Sequence, residues 1–170
     1  LSKVVSPGLR IGFAVLPPWL REAVVRAKQA LDLHTASLAQ EVADRYLRSG
    51  RLPERLRLTC ATYRQRRDAL CDALAAAFGD CLRFQRPDGG MFVWARFADG
   101  TDTETLLPHA RDRGVIFVPG AAFYDEAPDR ATLRLSFATL DPGQLAQAVD
   151  RLADAHRVSS ELAVPRVLSA

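Results

Sequence analysis

The sequence has few of the residues that mark secreted, metal-binding or membrane proteins. Its three cysteines, Cys60, Cys71 and Cys81, show no C-x-x-C spacing and no neighbouring histidines, so they predict neither a metal site nor a disulfide framework. We expect reduced, mostly buried thiols in a cytoplasmic protein. Uncharged apolar runs such as residues 11–20 are too short to span a bilayer, and no signal peptide is recognisable. The sequence therefore predicts no membrane partner.

A strong charge of either sign is also absent. The 23 basic residues outnumber the 20 acidic ones by a formal net charge of only +3, which does not call for nucleic acid or anionic lipid. One basic run is interleaved with Glu54 and apolar residues, and we predict that it is a solvated helix surface with no nucleic-acid role. Its members are Arg51, Arg55, Arg57, Arg64, Arg66 and Arg67.

The chain is rich enough in apolar residues to fold, with a hydrophobic content of 48% over 170 residues. That suffices for one ordinary domain, or for one small domain and part of another. The segment Leu1-Ser2-Lys3-Val4-Val5 starts within an apolar stretch and without methionine. We therefore expect that the sequence is cut from a longer protein.

Turn residues and periodicity predict the elements of the first half. Alternating apolar positions after a Ser-Pro-Gly turn predict a strand at residues 9–16. Two helices follow, at residues 19–33 and 36–47, the first opened by a Pro-Pro pair. A third helix at residues 52–78 would approach about 40 Å at about 1.5 Å per residue. We expect that this long helix joins two domains.

In the second half, turn and capping residues separate short apolar segments, which predicts a small α+β unit. Its predicted strands are residues 82–84, 91–97, 115–118 and 133–138. A helix is predicted at residues 103–113, capped by Thr103 and ended by Gly114. A final helix is predicted to begin at the capping box of Asp141 and Gln144. The sequence thus predicts four parts. These are a segment at 1–50, an interdomain helix at 51–78, a compact unit at 79–157 and a tail at 158–170 without usable periodicity.

Lys3 and Arg10 lie on either side of the Pro7-Gly8 turn and are the most informative residues. A lysine amine can form a Schiff base with an aldehyde, and a guanidinium can bind a phosphate through two hydrogen bonds. A phosphorylated aldehyde would satisfy both groups. On spacing alone, a solvated lysine and a surface arginine remain an open interpretation.

The segment S-K-V-V-S-P-G-L-R-I-G at residues 2–12 resembles the cofactor-lysine motif of fold-type I aminotransferases, particularly the 2-aminoadipate and kynurenine aminotransferase branch. Five further stretches occur in that family's order. They are K-Q-A-L-D-L-H-T (28–35), Y-R-Q-R-R-D (63–68), P-D-G-G-M-F-V-W (87–94), G-V-I-F-V-P-G (114–120) and L-R-L-S-F (133–137). The resemblance covers roughly residues 1–157.

The resemblance implies an α/β fold in which residues 1–50 are a remnant of the large cofactor-binding domain and 79–157 are the α+β small domain. It implies that Lys3 holds pyridoxal 5′-phosphate covalently and that Ser2 and Arg10 contact the cofactor phosphate. It also implies that Arg134 binds the substrate α-carboxylate. The alternation around Arg134 is compatible with that role, since its strand neighbours would face a core. No metal is implied.

The function implied by the resemblance is the transfer of an amino group between an L-amino acid and a 2-oxo acid, by a homodimer in the complete protein. The half that precedes Lys3 in the family is absent, so we expect that these 170 residues alone are inactive. One alternative is the effector-sensing domain of a regulator of the GntR/MocR type, which carries an aminotransferase-like domain behind a winged helix. A non-catalytic interaction module and other fold-type I reactions, including lyases, also remain open.

Overall fold

The computed structural model describes residues 1–163 and divides the chain into two compact units, Leu1–Cys60 and Ala61–Ala170. The boundary falls within helix α3 (Leu52–Phe78), whose bounds are those predicted from the sequence. The four-part division of the sequence stays a prediction. Among residues 1–163, no helix combines the length and apolarity needed to cross a bilayer.

The first unit contains two helices, α1 (Pro18–Asp32) and α2 (Ser37–Arg48), close to their predicted positions. Proline is favoured in the first turn of α1 because its missing N–H would have no partner there. Exposed ion pairs one turn apart support both helices. They are Glu22–Arg26, Lys28–Asp32, Glu41–Arg45 and Asp44–Arg48.

The predicted strand at residues 9–16 is wrong. A short 3-10 helix occupies Pro7–Leu9, and residues 10–17 form no regular element. A strand exists only where a second strand satisfies its backbone, and within residues 1–163 the one sheet is built entirely from the second unit. The alternation of apolar residues at 9–16 therefore indicates a preference for the extended conformation. Within residues 1–163 this segment has no partner strand, so no strand forms there.

The second unit contains a four-stranded antiparallel sheet in the order β1-β2-β4-β3. The strands are β1 (Leu82–Phe84), β2 (Phe92–Phe97), β3 (Val118–Pro119) and β4 (Thr132–Ser136). Val93, Ala95 and Phe97 of β2 turn one way, and Leu133 and Leu135 of β4 join them in the buried core. The sheet therefore buries one face in the core.

Three helices complete that core: the second half of α3, α4 (Thr103–Asp112) and α5 (Pro142–Ala163). They contribute buried side chains at helical spacing, namely Leu70, Leu74, Phe78, Leu106, Ala110, Leu145, Val149, Leu152 and Ala155. The helices pack with the apolar sheet face, which gives the unit two layers. The outer face of the sheet remains available for polar side chains.

Helix ends in this unit are partly as predicted. Asp141 and Gln144 form the capping box, with Gln144 N donating to Asp141 Oδ1 at 2.9 Å and Asp141 N donating to Gln144 Oε1 at 3.1 Å. The prediction that Thr103 caps α4 is wrong. Asp102 accepts the N–H groups of Glu104 and Thr105 instead, and the Thr103 side chain is buried.

Strand β4 spans Thr132–Ser136 where residues 133–138 were predicted, and two further boundaries differ by more than this. The N–H of Val115 donates to Ala110 O and that of Gly114 to Arg111 O, both at 2.9 Å. These two bonds form the Schellman pattern that ends a helix. The N–H of Val115 is therefore used by the end of α4, and β3 starts only at Val118. Helix α5 continues beyond residue 157 to Ala163, so the tail predicted at 158–170 is helical at its start. Residues 164–170 lie outside the described residues.

Two expectations about individual side chains are corrected. Cys71 is buried, but Cys60 and Cys81 are exposed, so the thiols are free but not mostly buried. In the basic run of α3, Arg66 Nη1 donates to Ala138 O at 2.5 Å and Arg67 Nη1 to Pro87 O at 3.0 Å. These two arginines hold loops of the second unit, whereas the other four are exposed as predicted.

Candidate active site

The residues predicted to hold the cofactor come together in the first unit. Ser2, Lys3 and Arg10 line one open cavity of about 380 Å³, with Ile11 and Gly12 beside them. The peptide folds back on itself because Leu1 O accepts the N–H of Val5 at 2.9 Å, while Leu1 N donates to Ile11 O at 2.7 Å. An amine, a guanidinium and a hydroxyl therefore share one cavity.

Arg10 has a backbone conformation that is uncommon for a residue with a side chain. Its φ and ψ are 52° and 36°, in the left-handed region, and it ends the 3-10 helix of residues 7–9. Its N–H and its Nη1 both reach Pro7 O, at 3.4 and 3.5 Å. Such strain concentrates at functional sites, where the position of a side chain matters more than local stability.

These groups suit a phosphorylated aldehyde. Lys3 is exposed and supplies a primary amine, the guanidinium of Arg10 is also exposed, and Ser2 is half-buried. A guanidinium and a hydroxyl are ordinary phosphate ligands, and a lysine amine condenses with an aldehyde. The residues present therefore fit pyridoxal phosphate, with Lys3 at its aldehyde and Ser2 and Arg10 at its phosphate.

Arg134, the predicted carboxylate ligand, lies in the second unit on the outer face of the sheet. Its neighbours Leu133 and Leu135 face the core, as the alternation predicted. Arg134 pairs with Trp94 of β2 on one side and with Val118 of β3 on the other. The residue is thus fixed between two strands, and its side chain is half-buried.

The guanidinium of Arg134 contacts two aromatic rings. Its central carbon lies 4.2 Å from the ring centroid of Phe92 and 4.5 Å from that of Phe123. Its Nε is buried and has no hydrogen-bond partner within residues 1–163. A buried donor without a partner costs free energy, so this nitrogen is a position at which an acceptor from a ligand would be stabilised.

Two other arginines of the unit, Arg96 and Arg130, are already neutralised, in contrast to Arg134. Arg96, on the same face of β2, bonds Asp129 at 2.6 Å, and the guanidinium of Arg130 lies 2.6 Å from both Asp102 and Glu104. Arg96 is the largest cause of a lowered pKa at the Asp129 carboxyl. No ion pair involves Arg134 in the part of the chain that the structure describes. Its charge is therefore free for a ligand.

Phe92 and Phe123 were not predicted from the sequence as neighbours of Arg134. Phe92 was detectable in principle, because it lies two residues before Trp94 and so on the same face of β2. Phe123 belongs to a 3-10 helix, Gly120–Phe123, whose path depends on the rest of the unit. Nothing in the local sequence marks it as a contact of this arginine.

Comparison with known proteins gives close relatives. The chain is 42% identical over 151 residues to a 2-aminoadipate transaminase of Thermus thermophilus, a match of 89% of this chain and 38% of the relative. The solved structure of LysN, an α-aminoadipate aminotransferase of Thermus thermophilus complexed with N-(5′-phosphopyridoxyl)-L-leucine, is 41% identical with a TM-score of 0.87, over 95% of this chain and 41% of that one. The HTH-type transcriptional regulator YisV of Bacillus subtilis is 30% identical over 92% of this chain and 32% of its own length.

The fold matches the corresponding part of a fold-type I aminotransferase, as the likeness to the LysN structure shows. A model of the family described as aminotransferase class I and II matches residues 2–152, and the chain belongs to that family. It spans well under half the length of the relatives it matches, 38% of one and 41% of the other.

Proposed function

We propose that this chain is the C-terminal part of an aminotransferase that moves an amino group between an L-amino acid and a 2-oxo acid. The observation that carries the proposal is the cavity that Ser2, Lys3 and Arg10 share. Their types and their proximity match the needs of a phosphorylated aldehyde. The names of the 2-aminoadipate transaminase and of LysN support the same reaction.

Each residue has a distinct role in the proposal. Lys3 holds the cofactor through its Nζ, while Ser2 Oγ and the guanidinium of Arg10 bind the phosphate. Pyridoxal phosphate, when bound, supplies the conjugated ring that withdraws electrons from the substrate Cα. Lys3 Nζ, when it is not bonded to the cofactor, would serve as the base that takes the substrate Cα proton and as the acid that gives the proton back.

Arg134 binds the α-carboxylate of the substrate. A carboxylate accepts two hydrogen bonds from a guanidinium, and within the described residues no carboxylate pairs with that of Arg134. Ordering the carboxylate in this way would restrict the orientation of the bound substrate, which is the positional part of catalysis. The amino acid side chain is not specified by these contacts.

The 170 residues alone should bind the cofactor weakly and should not turn over. The chain spans 38% of the 2-aminoadipate transaminase, and the family resemblance assigns the partners of the cofactor ring to the part that is missing here. Absorbance titration with pyridoxal phosphate tests this expectation. A tight, borohydride-trappable bond at Lys3 in the 170-residue chain would contradict it.

The chain offers a sharp test of the lysine, because Lys28 is its one other lysine. Lys28 is bonded to Asp32 at 2.7 Å and serves as the matched control. The complete polypeptide that contains these residues is incubated with pyridoxal phosphate, reduced with borohydride and digested for mass spectrometry. We expect the label on Lys3, no transamination by Lys3→Ala, and full transamination by Lys28→Ala with a panel of amino acids and 2-oxoglutarate. Label on Lys28 only would refute the assignment.

A second candidate is the effector-sensing domain of a transcriptional regulator, because YisV is also similar to this chain. The cofactor lysine does not separate the two functions. The reading frame upstream of Leu1 does so: a helix-turn-helix segment there would favour the regulator. Binding of an amino acid without release of a 2-oxo acid would favour it as well.

We also propose that the complete protein is a cytoplasmic homodimer. The free thiols Cys60, Cys71 and Cys81 support a reducing compartment. Light scattering of the complete polypeptide tests the dimer, and fractionation of the source cells tests the location.

A further inference from the structure

The guanidinium of Arg134 is held by ring contacts instead of hydrogen bonds. Phe92 and Phe123 contact its central carbon at 4.2 and 4.5 Å, and its buried Nε has no partner within residues 1–163. Several other arginines of the unit are fixed by carboxylates or carbonyls, as Arg96 is by Asp129 and Arg66 by Ala138 O. Two kinds of restraint are thus used in one small unit.

The difference matters because the two restraints use different parts of a guanidinium. Hydrogen bonds to an arginine use the N–H donors at the edge of its guanidinium. An aromatic ring instead interacts with the flat face of the cation. Contacts from rings therefore restrict the side chain and leave the edge N–H groups available. That combination is what a bidentate carboxylate site requires.

The geometry points to Phe92 and Phe123 as positioning residues, which orient the guanidinium of Arg134 so that its terminal N–H donors are presented to a carboxylate. This inference rests on the proposed function for the identity of the ligand, but the orientation itself does not. Phe92 lies on β2, and Phe123 lies on the 3-10 helix after Gly120. The two rings therefore reach Arg134 from different elements, so either can be removed by itself.

Phe123 is about half exposed, at 48%, and its ring is 5.5 Å from that of Trp94. A side chain so exposed adds little to the core, so its replacement should not unfold the unit. Tyr124 is the matched control. It is exposed to a similar degree, 39%, and its ring lies 6.4 Å from the same Trp94.

The first readout is nuclear magnetic resonance of the ¹⁵N-arginine-labelled 170-residue chain and needs no cofactor. The Nε–Hε signal of Arg134 is assigned by its loss in Arg134→Lys. We expect ring-current shifts of this signal in the wild type, their reduction in Phe92→Leu and Phe123→Leu, and their retention in Phe123→Tyr and Tyr124→Leu. An unchanged signal in both leucine variants, or an equal change in Tyr124→Leu, would overturn the inference.

The second readout is the steady-state kinetics of the complete polypeptide. Loss of one cation–π contact should raise KM for the amino acid by roughly two- to fivefold. The absorbance of the bound cofactor should not change, and kcat should change less than KM. Phe123→Tyr keeps an aromatic ring and should therefore have the wild-type KM. A fall in kcat with constant KM would instead place the rings elsewhere in the reaction.

The two readouts separate the inference from the proposed function. If the wild-type polypeptide does not transaminate, the proposed function fails, and the arginine signal still decides the orientation. If it transaminates and the leucine variants leave both the signal and KM unchanged, the positioning role fails and the proposed function stands.

Discussion

Gly120 lies against Thr132 so closely that a Cβ at Gly120 would be 1.9 Å from Thr132 Oγ1 and 2.6 Å from its Cβ. The Gly120 φ is not in the left-handed region, so the requirement is for space and not for backbone freedom. Gly120 begins the 3-10 helix that ends at Phe123, and Thr132 begins β4. This contact therefore joins the element that carries Phe123 to the strand that carries Arg134.

We predict that Gly120→Ala lowers the free energy of unfolding of the second unit. The added methyl group cannot be accommodated without moving buried Thr132 and its backbone, and overpacking of this kind costs about 1–3 kcal/mol. Urea denaturation of the 170-residue chain measures the loss. Gly89→Ala is the control, because a Cβ at Gly89 would meet nothing within 4 Å and its φ is not left-handed. Equal stability of the two variants would contradict the steric argument.

A second stability prediction concerns Thr103, the residue that the sequence assigned to a helix cap. Its buried Oγ1 lies 3.0 Å from Arg130 O and 2.8 Å from Thr132 O. Thr103→Val keeps the shape but removes the donor, which should cost about 1–3 kcal/mol because buried carbonyl oxygens lose a partner. Thr103→Ser keeps the hydroxyl and should lose less in the same denaturation experiment. A larger loss for serine would show that packing, and not hydrogen bonding, dominates there.

Helices were predictable from the sequence because their start and stop signals are local. Pro18 opens α1, the reciprocal bonds of Asp141 and Gln144 open α5, and Gly114 ends α4 with a φ of 76°. The bounds of α3 were predicted without error for the same reason. The long-range features could not be predicted, because whether residues 9–16 find a partner strand depends on segments that the local pattern does not contain.

The same distinction applies to the candidate site. Lys3 and Arg10 are close in sequence, so one ligand for both could be suggested from the turn between them, whereas the cavity that they share was not predicted. Alternation along one strand was enough to place Arg134 on the outer face of the sheet. The contact of Phe123 with Arg134 depends on the close approach of Gly120 to Thr132, which is a tertiary contact between elements. The residues next to Phe123 in the sequence therefore do not predict its contact with Arg134.

A third prediction concerns pH and the carboxyl of Asp68 on α3. Arg86, followed by Arg67, lowers its pKa below the ordinary value of 3.8 by donating hydrogen bonds to it. A lowered folded-state pKa means that the ion pair stabilises the unit above pH 3.8 and that this contribution is lost as the pH falls through the lowered value. Thermal unfolding of the chain between about pH 6 and about pH 2 should therefore show less acid sensitivity in Asp68→Asn.

Arg86→Gln is the companion variant, because it removes the largest cause of the lowered pKa while leaving the carboxyl of Asp68 in place. Its loss of acid sensitivity should overlap with that of Asp68→Asn, so the double variant should show less than the sum of the two effects. Full additivity would show that the two side chains act independently and that the ion pair does not stabilise the unit.

The last prediction concerns Arg10. Its left-handed backbone lowers local stability, whereas its guanidinium is proposed to bind the cofactor phosphate. Arg10→Lys keeps the charge but loses the two-donor edge, which should weaken pyridoxal phosphate binding by the complete polypeptide roughly ten- to a hundredfold. Arg10→Gly should weaken binding at least as much, yet leave the free energy of unfolding equal or higher, because glycine adopts a φ of 52° without strain. Absorbance titration and urea denaturation measure the two quantities, with exposed Arg21→Lys as the control. If Arg10→Lys binds the cofactor as tightly as Arg21→Lys does, the guanidinium does not hold the phosphate.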